Sequence, residues 1–197
     1  MDDNNILSQL LVDVRNANSL KIEYGITGQM VINQEIKRII TFSANETIIV
    51  DYNLKTASVE IIESDFTGST TTKENYDNCK MTSHKVSNNP DGKIESSSNE
   101  EFSEDEYNCL FKVGGKLYPI EIDVLIPVGS KMNAEDCQVC RASKEFTDSI
   151  PGFLESVYAI YKKSENLYDI TRVMKQKDID TSMPLIQYCN TKIEILS

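Results

Sequence analysis

The chain has 197 residues, of which 40% are apolar and 26% are charged, a balance typical of a globular protein with a sizeable core. Its formal net charge of −11 and its pI of about 4.6 argue against broad binding to nucleic-acid phosphates or to an anionic membrane surface. A partner with a basic surface would suit the chain better electrostatically.

Two features of the sequence predict a location in the nucleus or the cytoplasm. The first residues, MDDNN, are acidic where a signal peptide would be basic, and no apolar run approaches the ~20 residues of a membrane span. The five cysteines, an odd number, fit reduced thiols better than a disulfide framework. We therefore expect no attachment to a membrane.

Residues 1–63 are predicted to form a helix followed by an antiparallel meander. Within residues 3–16, apolar side chains recur along one face of a helix. Residues 20–63 then change to short β-branched runs joined by turn-prone linkers, in which Gly25 and Gly28 are interpreted as turn glycines. A hairpin between residues 47–52 and 57–62 is the firmest prediction among these strands.

Residues 64–107 are predicted to form a disordered acidic insert. They contain long Ser-, Thr- and Asn-rich runs, and ten acidic residues against four basic ones. Their few apolar residues show no period and could not offset a backbone entropy cost of ~1–2 kcal/mol per residue. Since neither flank alone looks able to bury a core, we expect the insert to interrupt one domain.

Residues 108–197 are predicted to complete the same domain with a hairpin, two helices and one or two C-terminal strands. Gly114-Gly115 separates two apolar runs, as a hairpin turn does. Residues 149–163 place their apolar side chains on one helical stripe, and residues 167–174 predict a second helix. The expected fold is α+β: an antiparallel sheet packed against a few helices, interrupted by the disordered acidic insert.

Cys137 and Cys140 form the most suggestive chemical motif, because two cysteines at this spacing can hold zinc or form a redox pair. A structural zinc site would need two further ligands, for which the candidates are Cys79 with His84, or Cys109. Adjacent acidic residues would raise a thiol pKa rather than lower it, which disfavours redox catalysis. We therefore favour two unrelated reduced cysteines, with no metal and no cofactor.

His84 is the only histidine in the sequence, and it lies in the predicted insert. This placement removes the usual general base and the Ser/His/Asp arrangement, so we predict no catalytic residue and no enzyme activity. Ser98 and Ser103 each precede acidic residues, a pattern that acidophilic kinases recognise. Both serines are therefore candidate phosphorylation sites.

The leading functional hypothesis is a non-catalytic, protein-binding subunit or adaptor of an intracellular multiprotein complex. It rests on the lack of a cofactor or catalytic motif, together with a sheet edge beside an acidic segment that a basic partner would suit. A virus-encoded protein that binds a host factor is a second hypothesis with the same support. A small zinc-dependent or redox protein that uses Cys137 and Cys140 is the third.

Overall fold

The computed structural model describes residues 6–32, 35, 38–118, 132–134, 137–143 and 153–197. Within these ranges the chain forms two α-helices and an antiparallel sheet of eleven strands. Strands account for 66% of the structure and helices for only 12%, so the fold is β-rich. The expectation of an α+β fold with several helices is therefore wrong.

The two helices are α1 (Ile6–Asn16) and α2 (Glu104–Leu110). The strands of the first half are β1 (Ser19–Ile32), β2 (Arg38–Asp51), β3 (Thr56–Asp65), β4 (Gly68–Asp77), β5 (Lys80–Asn89) and β6 (Gly92–Glu101). The later strands are β7 (Met132–Ala134), β8 (Cys137–Ser143), β9 (Phe153–Ser164), β10 (Leu167–Lys177) and β11 (Pro184–Ile195). Their order across the sheet is β6-β5-β4-β3-β2-β1-β11-β10-β9-β8-β7, which makes two meanders joined where β1 pairs with β11.

Two local predictions from the N-terminal third are confirmed. Helix α1 buries the apolar face that the sequence indicates, with Leu10 completely inaccessible to solvent. The hairpin between β2 and β3 closes at the pair Asp51↔Thr56. In both cases the deciding signals lie within a few residues of one another in the sequence.

The N-terminal meander has three long strands where five short ones were expected. β1 and β2 pair over fourteen consecutive positions, from Ser19↔Asp51 to Ile32↔Arg38, without a shift of register. The sequence analysis interpreted Gly25 and Gly28 as turn glycines, but both residues lie inside β1. A polar stretch such as residues 43–46 continues a strand here because its neighbours on both sides complete the hydrogen-bond ladder.

The segment expected to be a disordered insert instead carries strands β4, β5 and β6 and helix α2. The apolar content of this segment does not predict strands, but its tight turns allow successive strands to pair. Asn78 and Cys79 adopt positive φ angles of 50° and 60°, as a tight hairpin turn requires, and Gly92 has a φ of 135° after Pro90-Asp91. Tyr76 is buried against the core, which anchors β4 to the rest of the sheet.

The two helices predicted in residues 149–174 are also wrong where the structure describes them, since Phe153–Ser164 is β9 and Leu167–Lys177 is β10. A two-residue turn joins the strands, which pair antiparallel over most of their length. In β10, Tyr168 and Ile170 are buried while Thr171 is exposed, a period-two pattern that the helix prediction overlooked. The β-branched and aromatic residues of β9 are compatible with the period of a helix and with that of a strand. Pairing with β8 and β10 stabilises the strand.

The hairpin predicted around Gly114-Gly115 is not formed as expected. Its first strand is replaced by α2, and residues 111–118 follow as turns. The second predicted strand spans residues 116–128; residues 116–118 are among these turns, and residues 119–128 lie outside the described residues. The described part of the chain contains no helix long and apolar enough to cross a membrane.

The main core lies between the helices and one face of the sheet, which we call the inner face; the opposite face is the outer face. Inner-face side chains meet across the strands, and Leu20 of β1 is flanked by Val50 of β2 and by Ile195 of β11. Buried positions alternate with more exposed ones at the start of β1, β3 and β10, as in a sheet covered on one side. Most of the buried apolar side chains belong to this single cluster.

Tyr168 connects α1 to the C-terminal strands. Its ring is completely buried, and its hydroxyl donates a hydrogen bond to Oδ2 of Asp13 on α1 at 2.5 Å. Burial, and then the hydrogen bond to this carboxylate, hold the pKa of Tyr168 well above its ordinary value. Nζ of Lys162 lies 3.9 Å from the same Oδ2 and 5.3 Å from the centre of the Tyr168 ring.

We expect Tyr168→Phe to lower the free energy of unfolding by about 1.5–3 kcal/mol, because it removes a hydrogen bond to a charged group and leaves Asp13 with a more distant ammonium. Urea denaturation followed by circular dichroism measures this loss. Tyr188→Phe, at an exposed tyrosine of the outer face, is the matched control and should change stability by less than about 0.5 kcal/mol. Equal losses of stability in the two variants would contradict a stabilising role of the hydrogen bond from Tyr168 to Asp13.

Candidate protein-binding site

Strand β6 is the last strand at one edge of the sheet. It pairs with β5 from Lys80↔Glu101 to Asn89↔Gly92 without a register shift, and no other strand in the described ranges pairs with it. All ten of its residues are exposed. A strand edge of this kind presents N–H and C=O groups that a further strand can bind.

The hairpin geometry tells which residues of β6 face this free edge. The two-residue turn Asn78-Cys79 is of the type whose flanking pair, Asp77↔Lys80, is hydrogen-bonded, and bonded pairs then alternate across the strands. The N–H of Phe102, just after β6, donates a hydrogen bond to the C=O of Cys79, just before β5, at 2.8 Å. This bond agrees with the alternation, because it shows an even-numbered residue that directs its backbone toward β5. The odd-numbered residues of β6 therefore direct their backbone groups outward: Lys93, Glu95, Ser97, Asn99 and Glu101.

Charged side chains line the free edge. Glu95 forms an ion pair with Lys93, and Oε1 of Glu101 lies 2.9 Å from Nζ of Lys80. Each lysine lowers the pKa of its partner carboxylate, mainly by hydrogen bonding and then by its charge, so both glutamates are ionised near neutral pH. Charge on an edge strand hinders indiscriminate strand pairing and leaves the edge selective for a complementary partner.

Ser103 caps the helix that follows β6. Its Oγ accepts a hydrogen bond from the N–H of Glu106 at 3.3 Å, while its own N–H donates to Oε2 of Glu106 at 2.9 Å. This reciprocal arrangement is a capping box, and the hydrogen bonds from Ser103 lower the pKa of Glu106. With Glu104 and Asp105 in the same first turn, an acidic surface continues directly from β6 into α2.

A polar cluster fixes the loop after α2 to strand β4. Oε2 of Glu74 accepts hydrogen bonds from Nζ of Lys116 and from the hydroxyl of Tyr76, each 2.7 Å long. Burial opposes the ionisation of Glu74, but the hydrogen bonds from Lys116 and Tyr76 outweigh burial and lower the pKa of this carboxyl. Burial and the Glu74 carboxylate raise the pKa of Tyr76 to about 12. The cluster therefore holds the loop that follows α2 against β4.

The residues singled out in the sequence fall at separate places. Ser98 lies in β6, exposed, opposite Ser83 of β5, and Ser103 is the helix cap. His84 is exposed on β5, with its Nδ1 3.0 Å from Oγ of Ser97. Cys137 and Cys140 both lie in β8, which pairs with β9.

Cys79, His84 and Cys109, the further zinc ligands considered from the sequence, lie in three different elements. Cys79 and Cys109 are free thiols, the first in the β4–β5 turn and the second on α2. Where the structure describes the chain, no group of three or more His, Cys, Asp or Glu side chains is placed to hold a metal ion. Comparison with known proteins adds no assignment, because neither a protein-family model nor a curated protein matches the chain.

Sequence reasoning missed the free edge because it treated residues 64–107 as unstructured. The signal that could have found it is the series of turns: Asp65-Phe66-Thr67-Gly68, Asn78-Cys79 and Pro90-Asp91-Gly92 recur at intervals that suit a meander of short strands. The position of β6 at the end of the sheet follows from this order, since each strand pairs with the one before it.

Ser103→Ala should lower the free energy of unfolding by about 0.5–2 kcal/mol, because it removes the side-chain half of the capping box. Ser98→Ala is the matched control, since Ser98 lies on the exposed edge strand, and it should change stability by less than about 0.5 kcal/mol. Thermal and urea unfolding measure both. A loss confined to Ser98→Ala would show that the cap is not the stabilising contact.

Glu74→Gln should destabilise the protein by about 1.5–3 kcal/mol at pH 7, because it replaces the charged acceptor of two hydrogen bonds. The pKa of Glu74 is lowered on folding, so its contribution is complete above its ordinary value of 4.5 and disappears as the pH falls through the folded-state pKa. The difference in unfolding free energy between wild type and variant should therefore shrink on acidification.

Glu60→Gln provides the comparison, since Glu60 forms an exposed ion pair with Lys73 at 2.8 Å that should contribute less than about 1 kcal/mol. Denaturant unfolding at several pH values between neutral and acidic conditions measures all three proteins. A Glu74→Gln difference that stays constant with pH would contradict the role of the ionised carboxylate.

Proposed function

We propose that this protein is a non-catalytic, protein-binding subunit of an intracellular complex, and that it binds an extended, basic segment of its partner along the free edge of β6. The observation that carries the proposal is the edge itself: five residues direct backbone groups away from β5, no strand in the described part of the chain pairs with them, and β6 is exposed along its whole length. Strand addition uses main-chain hydrogen bonds for affinity and side-chain contacts for specificity.

The charge around the edge supports a basic partner. Residues 92–106, which form β6, the cap and the first turn of α2, contain six acidic side chains and one basic side chain. Lysine or arginine at alternate positions of an added strand would lie opposite Glu95 and Glu101. Such complementarity raises the association rate and selects against acidic partners, and its effect weakens as salt increases.

The location of this complex in the nucleus or the cytoplasm is part of the same proposal. The free thiols of Cys79, Cys109 and Cys189 support it, since reduced cysteines are usual in those compartments. Cys189 is buried and Cys109 is exposed, so the three thiols occupy different environments.

Phosphorylation would act on the edge at Ser98 more readily than at Ser103. Ser98 is exposed, precedes Asn99-Glu100-Glu101, and a phosphate there would add about −1.5 to −2 charges to the face of β6 that also carries Glu100. At Ser103 a phosphate would meet the Glu106 carboxylate, whose Oε2 lies 2.7 Å from the serine Oγ. We propose Ser98 as the site at which phosphorylation strengthens partner binding.

A fluorescent peptide in which lysine alternates with threonine should bind the protein, whereas the same peptide with glutamate in place of lysine should not. Ser97→Pro should abolish binding, because it removes an outward N–H and blocks the edge without breaking a bond to β5. Ser97→Ala is the matched control, since both variants lose the contact with His84 but only proline blocks the edge.

Fluorescence anisotropy at low and high ionic strength measures binding, and circular dichroism checks that each variant is folded. Binding of the lysine peptide that survives Ser97→Pro, or that is insensitive to salt, would contradict strand addition at β6. A dimer of the free protein that Ser97→Pro dissociates would show instead that a second copy of the chain occupies the edge.

A further inference from the structure

Gly25 has no structural reason to be glycine. It lies in the interior of β1, a fourteen-residue strand, where its partners Asn45 in β2 and Asn190 in β11 follow an uninterrupted register. It is not among the described glycines with positive φ, so its backbone conformation is open to other residues. Glycine inside a strand is destabilising, and where no bulge explains it, it often marks the close approach of a ligand or another backbone.

Gly28, three residues further along β1, shows the contrast. A Cβ atom there would lie 2.7 Å from the ring of Phe42, so the packing of this ring requires glycine. A Cβ atom on Gly25 would instead meet Oδ1 of Asn45 at 3.1 Å, and its next neighbour would be 4.0 Å away. The Asn45 side chain is exposed and can rotate aside, so space does not require glycine at position 25.

The missing side chain leaves a groove on the outer face. The groove crosses β2, β1, β11 and β10 and has a volume of about 550 Å³, within the range of small-molecule sites. Gly25 forms its floor, and Asn45 and Asn190 stand on either side of it. Two strand spacings separate the walls, which makes the slot roughly 9–10 Å wide between backbones.

The groove is lined by groups that both donate and accept hydrogen bonds. The two asparagine amides each offer an N–H₂ and a carbonyl, and Thr171 adds a hydroxyl beside Asn190. The charged residues of the next row are Glu23, Asp169 and Lys192, with Oε2 of Glu23 3.5 Å from Nζ of Lys192. Carboxylates outnumber ammonium groups in this row, so the lining disfavours phosphate and other anions.

Tyr188 provides an aromatic surface next to the groove. It precedes Asn190 by two residues in β11 and therefore projects from the same face of the sheet, with its side chain 54% exposed. An exposed ring of this kind offers an apolar plane and a hydroxyl for contact with a ligand. The strands below are already paired on both sides, so an added peptide strand cannot bind here through its backbone.

We infer that the groove over Gly25 is a binding site for a neutral saccharide. A sugar hydroxyl donates and accepts, as the asparagine and threonine side chains do, and its C–H face suits the ring of Tyr188. A slot with a bare backbone floor admits a flat ring, and the absence of a basic cluster in the lining agrees with an uncharged ligand. The site lies on the outer face at the centre of the sheet and is independent of the β6 edge.

The test uses saturation-transfer NMR of the full chain with maltohexaose, cellohexaose, chitohexaose, mannohexaose and xylohexaose as probes. We expect at least one probe to bind the wild-type protein. Gly25→Val should weaken that binding at least tenfold while leaving the melting temperature unchanged or higher, because valine fills the floor and favours strand. This combination separates a binding site from a structural role of Gly25.

Asn190→Ala removes one wall of the groove and should also weaken binding, whereas Ser58→Val, on the outer face of β3 and away from the lining, should leave binding unchanged. Failure of all five probes to bind the wild-type protein would overturn the inference. Binding that survives both Gly25→Val and Asn190→Ala would overturn it equally, and so would a fall in melting temperature for Gly25→Val.

Discussion

The pairing of β1 with β11 is the contact on which the rest of this structure depends. It runs from Leu20↔Ile195 to Gly28↔Gln187 and joins residues more than 150 positions apart in the sequence. Without it the described strands would form two separate meanders. The backbone carbonyl of Ser197 accepts hydrogen bonds from the N–H groups of Asn18 and Ser19, so the residues after β11 lie against the start of β1.

Burial falls from the centre of the sheet toward β6, and the chemistry of the surface follows that gradient. Near β1, the inner face of the sheet packs against α1 to form the core. Asp13 of α1 also accepts a hydrogen bond from the buried Tyr168. At β5 and β6 few side chains are buried, so stability there comes from tight turns and ladder hydrogen bonds and gains little from apolar area. A strand held in this way can expose its edge and carry charge without loss of core packing.

The two proposed sites use different parts of this architecture. The β6 edge offers backbone groups with acidic side chains around them, which suits a basic extended segment of a protein. The groove over Gly25 lies where the backbone is fully paired, so only side chains and a bare glycine are available to a ligand. Each site can therefore be altered by substitution without changing the residues of the other.

The sequence by itself determined the features that depend on neighbouring residues: the apolar face of α1, the β2–β3 hairpin and the acidic character of residues 92–106. It misassigned β9 and β10, because β-branched and aromatic residues fit either period until a neighbouring strand is present. Only the tertiary structure decided that β6 ends the sheet and that Asn190 stands beside Gly25. The reason is that strand pairing is a long-range contact, and no local pattern records which distant strand completes the ladder.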